Sequence, residues 1–194
     1  MRRPRVHPRQ RAHQLQRVQR RRVFVGCEGE SERGYASLVS RLLEDVHHRV
    51  HLDTTVLGGG DPLALCQAAE RAIKRAEINR EAFDLKFLLL DHDKIGLAPQ
   101  RDQGIQAILN GTGAVIIWQN TAHEAMLLRH LPGCAALRPP STVLAVQQLV
   151  QRWAQYQKPM SATQLATRLD LARLQQAAGV EPDLAHFFAQ IEIF

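Results

Sequence analysis

Between residues 23 and 131 the chain alternates four times between a short apolar run and a segment of helical periodicity, and nothing else in it constrains the fold as tightly. The apolar runs cover 23–27, 51–57, 84–90 and 114–118. Runs of this length, bounded by glycine and polar residues, read as strands buried on both faces. Between them Tyr35, Leu38, Val39, Leu42, Leu43 and Val46 recur at helical spacing, as do Leu65, Ala69, Ala72, Ile73 and Ala76. Asp61-Pro62 supplies an N-cap and first-turn pair for the second of these helices. Ile105, Ile108 and Leu109 mark a third helix, and 121–131 a fourth. Strand followed by helix, repeated, predicts an α/β fold with a mostly parallel four-stranded sheet flanked by helices.

Pro132-Gly133 and Pro139-Pro140 end that pattern, and helices are expected over 141–157, 161–169 and 171–178, the last stopped by Gly179. Val146, Leu149, Val150, Trp153 and Tyr156 form the apolar stripe of the first of these. The chain thus divides into a basic disordered arm (1–21), an α/β domain (22–131) and a helical C-terminal extension packed on it (132–194).

The net charge of +6 is unevenly placed. Nine arginines fall between Arg2 and Arg22 with no acid among them, whereas the remaining sixteen basic residues face all nineteen acids, leaving the body at −3. No apolar stretch approaches the roughly twenty residues a membrane helix needs, and the tail lacks the apolar middle of a secretion signal, so the cytoplasm is the expected compartment. Cys27, Cys66 and Cys134, odd in number and widely spaced, read as reduced thiols.

Two of the apolar runs end in acids. The first leads into Glu28, Glu30 and Glu32, the third into Asp91 and Asp93. A parallel sheet brings both ends to one rim, where α/β proteins bind ligands. Carboxylates gathered there repel unless a cation lies between them or one is protonated. A hard divalent cation, Mg²⁺ or Mn²⁺, is therefore expected, held by Glu28, Asp91 and Asp93. Each acid also has a plain reading: Glu30 and Glu32 suit the first turn of a helix, where the macrodipole favours negative charge. Thr121-x-x-Glu124 has the form of a capping box.

The run Val23-Phe24-Val25-Gly26-Cys27-Glu28-Gly29-Glu30-Ser31-Glu32 resembles the opening motif of the RloB-like proteins. Leu90-Asp91-His92-Asp93 resembles that family's Phe-Asp-x-Asp, and Gln119-Asn120-Thr121-Ala122-His123-Glu124 through His130 its Ser-Asn-Pro-x-Phe-Glu motif. Ser31 replaces the usual threonine and Met126 the usual tryptophan. The resemblance implies a topoisomerase-primase (Toprim)-like fold, with Glu28 as catalytic acid/base and Asp91 and Asp93 as Mg²⁺ ligands in a nuclease. Glu30, Glu32, Asn120 and Glu124 would support them. It also implies an accessory role in bacterial defence against phage or foreign DNA beside an ATPase partner, with homo-oligomerisation left open. The alternative is a non-catalytic nucleic-acid- or protein-binding module on the same fold.

For nucleic acid the expected phosphate contacts are Arg20, Arg21, Arg22 and Lys94, since arginine pairs bidentately with phosphate. Lys158 has two readings, phosphate contact or solvated surface. Gly58-Gly59-Gly60 reads as a turn or as backbone for a phosphate; His47, His48 and His51 read as a helix end and strand start rather than a zinc site, and His92 as loop surface.

Overall fold

The computed structural model describes residues 20–47, 49–78, 80–92 and 98–194. Four strands, β1 (Arg21–Cys27), β2 (Val50–Val56), β3 (Leu85–Asp91) and β4 (Val115–Gln119), form one sheet in the order β2-β1-β3-β4, with every pair parallel. The helices between them are α1 (Glu30–Val46), α2 (Pro62–Glu77) and α3 (Pro99–Thr112). After β4 come α4 (His123–His130), α5 (Thr142–Arg152), α6 (Ala162–Leu165), α7 (Leu171–Ala178) and α8 (Pro182–Gln190). The α/β expectation is met. The last helix was not anticipated, although Pro182 at its first turn is a start signal. Among the described residues no helix is long and apolar enough to cross a membrane.

Strand side chains divide by parity between two cores. Val23, Val25, Cys27, Phe87, Leu89 and Ile117 pack with α1 and with buried residues of the helices after β4. Phe24, Leu88, Leu90 and Ile116 pack with α2 and α3 through Leu65, Ala69, Ile73 and Ile105. This explains why the strands read as unbroken apolar runs: both parities are buried. The C-terminal helices supply the second half of the first core, where Phe187 packs edge-on against Phe87 of β3 with ring centroids 5.0 Å apart.

Three details differ from the expected boundaries. β1 begins at Arg21, so the sheet takes in the end of the arm. The helix expected over 141–157 stops at Arg152, which places Trp153 and Tyr156 in the segment that follows it. Val150 consequently stays exposed, and Ala145, Leu149 and Trp153 carry the burial. The helix expected over 161–169 contracts to the four residues of α6.

Candidate active site

β1 and β3 are neighbours, and the chain leaves β1 for β2 on one side and reaches β3 on the other, so the sheet reverses its winding direction between them. Ligand crevices form at such reversals, beyond the carboxyl ends of the strands. In the register Cys27 lies opposite Leu89, and the Glu28 amide donates to the Leu89 carbonyl at 3.1 Å. The Glu28 side chain turns across this junction, and its Oε2 accepts the Asp91 amide at 3.1 Å. Asp91, opposite Gln119 of β4, accepts the His123 amide on Oδ1 at 2.8 Å. Glu28 and Asp91 thus meet at one point of the rim. Asp93 and Lys94 lie outside the described residues, as do His48 and the arm before Arg20.

Burial raises the proton affinity of Asp91, and the nearby charges of Glu28, Glu32 and Glu124 raise it further. The His123 amide opposes them only in part, and the result is a pKa of about 8. Glu32 is buried, and its Oε2 accepts the Gly29 amide at 2.8 Å, closing the start of α1; its Oε1 lies 3.5 Å from His123 Nδ1. Glu30 is turned outward, paired with Arg33 one turn on. The neighbouring Gly58-Gly59-Gly60 all adopt positive φ, a conformation open to glycine, and Gly59 donates its amide to the Glu28 carbonyl at 2.9 Å. That amide serves the turn.

The capping box expected at Thr121 and Glu124 does not form. α4 starts at His123 with Ala122 as its N-cap, and the Thr121 hydroxyl donates to the Pro139 carbonyl at 2.8 Å. Asp91, reaching from the next strand, satisfies the first amide of α4 and so displaces the local cap. Glu124 is therefore released to the interior. Fully buried, it takes both the Tyr156 hydroxyl, at 3.1 Å, and Lys158 Nζ, at 2.8 Å, on Oε1. Burial pushes the Glu124 carboxyl up, but the hydrogen bond and charge of Lys158 more than offset this and hold it below its ordinary range. Lys158 is accordingly a rim residue, not merely a solvated one.

His123 and His130 also prove to be structural parts of the site. His123 is buried, 3.1 Å from the Gln119 side-chain amide, and burial lowers its proton affinity. His130 accepts the Tyr35 hydroxyl on Nε2 at 2.9 Å and donates from Nδ1 to the Met126 carbonyl at 2.9 Å. Asn120 is exposed, and its backbone carbonyl accepts a hydrogen bond from the buried Arg129, which is also ion-paired with Glu181.

The arginines expected to serve the same phosphates are elsewhere. Arg21 and Arg22 open β1, at the amino end of the sheet, about 20 Å of strand from Glu28 at about 3.3 Å per residue. Each is engaged there: Arg20 faces Glu44, Arg21 pairs with Glu192, and Arg22 pairs with Asp53 and lies over the Phe83 ring. His92 is exposed, edge-on to Trp118. A cavity of about 670 Å³ between α3 and β4 is lined by Ile105, Leu109, Ile116 and Trp118, with Asp102 its one acid among the described residues. The converging titratable groups are at the rim instead.

Among the described residues no group of three or more His, Cys, Asp or Glu side chains is arranged to hold a metal ion. The donor chemistry nevertheless suits a hard cation: the converging groups are carboxylates, Asp91 binds protons too tightly for an ordinary carboxyl, and the buried Glu124 Oε2 and Gln119 Oε1 have no hydrogen-bond partner. No protein-family model, curated protein or solved structure matches the chain.

Proposed function

We propose that the protein is a Mg²⁺- or Mn²⁺-dependent nuclease of Toprim-like architecture, acting on phosphodiester bonds at the rim formed by Glu28 and Asp91. One observation carries this reading: two carboxylates from adjacent parallel strands meet at the reversal point of the sheet, with surplus negative charge that raises Asp91 to about 8. A divalent cation bound there would relieve that repulsion and would supply Lewis-acid polarisation of a phosphoryl oxygen. Glu28 and Asp91 would hold it, joined by Asp93 as the resemblance to RloB-like proteins implies. Glu28, whose carboxylate accepts the Asp91 amide, would move a proton during hydrolysis. The first turn of α4, fixed on Asp91, keeps that carboxylate in register with β1.

The same resemblance supports an accessory role in bacterial defence beside an ATPase partner. The competing reading is a binding module without turnover, favoured by the use of a Glu28 oxygen in holding the Asp91 amide. Labelled DNA and RNA incubated with the full chain and Mn²⁺, beside Asp91→Ala, decide between them. Cleavage by the parent and not by the variant supports the nuclease. Equal cleavage by both removes Asp91 from the mechanism, and binding without cleavage by either establishes the module.

A further inference from the structure

We infer that Lys158 is a substrate-phosphate contact of the rim, delivered by the helical C-terminal part of the chain to the acids of the α/β part. The inference rests on the reading of that rim as a phosphodiester site.

Three observations carry it. First, the ammonium is held at 2.8 Å by Glu124, which is itself fully buried, yet the lysine side chain is 55% exposed. An ammonium has three donors, and one is spent on Glu124, so two remain for another acceptor. Second, the placement is enforced by packing. A Cβ on Gly34 of α1 would lie 2.0 Å from the Met160 carbonyl oxygen, so the segment after Lys158 rests directly on the backbone of α1, close to the N-terminal turn that follows Glu28. Third, Lys158 stands among the acids of the rim: Glu32, Glu124 and Asp91 all act on it, so a phosphodiester entering beside those acids meets a fixed positive group in addition to any bound cation. A cleft of about 490 Å³ lined by Glu30, Arg33, Ser37, Thr54, Met160 and Gln164 adjoins the same segment.

Lysine is suited to this as a point charge that tolerates several phosphate orientations. The arginines that open β1 cannot substitute for it, since they lie at the opposite end of the strand from Glu28.

The test separates a phosphate contact from a counter-ion. Lys158→Met alone strands the Glu124 charge; Lys158→Met combined with Glu124→Gln removes both charges and recovers the thermal midpoint. Binding of a short labelled oligonucleotide to the full chain is followed by anisotropy in Ca²⁺ across a salt series, and cleavage is followed in Mn²⁺. The expected result is about tenfold weaker binding in both variants, with the salt slope reduced by about 0.7 for a single strand. Cleavage falls by about 10² or more, and Lys158→Arg retains most of the affinity. Recovery of binding or cleavage in the folded double variant overturns the inference, as does wild-type chain that fails to bind. Lys158-dependent binding without cleavage by the parent upholds the contact while refuting the nuclease reading.

Discussion

Replacing Asp91 by Asn should make the metal-free protein more stable, and the size of the gain follows from the rim. The Asp91 carboxyl moves from its ordinary 3.8 to about 8 on folding, because burial and then Glu28, Glu32 and Glu124 disfavour its charge. Between those values the folded chain keeps a proton that the unfolded chain has released, so stability declines as pH rises through this window and levels off above about 8. At about 1.4 kcal/mol per decade of proton affinity the ceiling is about 6 kcal/mol. Asp91 is only half-buried and solvent screens the open rim, which reduces the expected penalty to about 2–3 kcal/mol. Asn retains an oxygen for the His123 amide and carries no charge. Urea unfolding in a chelator should therefore show Asp91→Asn ahead of the parent by about 2–3 kcal/mol near pH 8, with the two converging near pH 4. Saturating Mg²⁺ should close the gap at pH 8 by stabilising the parent alone, about 2.7 kcal/mol at a hundredfold excess over the dissociation constant. A variant that is less stable than the parent at pH 8, or a difference that does not change with pH, would refute the electrostatic account of the rim.

Two further outcomes concern the packing that builds the site. Gly34→Ala places a methyl group 2.0 Å from the Met160 carbonyl oxygen, a backbone atom that cannot swing aside; thermal unfolding should show a loss of about 1–3 kcal/mol, together with weaker substrate binding as Lys158 loses its seat. Arg129→Met leaves the buried Glu181 with only Arg138, at 3.9 Å, and the Asn120 carbonyl without its donor; chemical denaturation should register a loss of about 2–4 kcal/mol.

The architecture was legible because a parallel sheet covered on both sides imposes a pattern that survives in one dimension. Phe24 and Leu88 are apolar for α2, while Val25 and Leu89 are apolar for α1, so each strand shows as a short unbroken run. The acids that end β1 and β3 were visible for the same reason, as the first polar residues after those runs. The remainder of the site depends on contacts with no local signature. Glu124 read as a cap because Thr121 stands three residues before it; nothing nearby in sequence says that Asp91, 32 residues away, takes over the first turn of α4. Lys158 is exposed, in keeping with the solvated reading, but its pairing with Glu124 was not legible, because the Gly34–Met160 contact that seats its loop joins residues far apart in the chain. Tyr156 looked like a helix residue because apolar spacing continued past Arg152, where the backbone had already left the helix.

β4 is the open margin of the sheet on its outer side, and open margins are templates onto which a foreign strand can add. Asp183 of α8 accepts the Trp118 amide at 3.0 Å, occupying one of the outward-facing donors with a negatively charged side chain. The final helix consequently acts as a guard against runaway strand addition, and a chain shortened ahead of Pro182 would lose that guard together with Phe187, which covers Phe87 of β3.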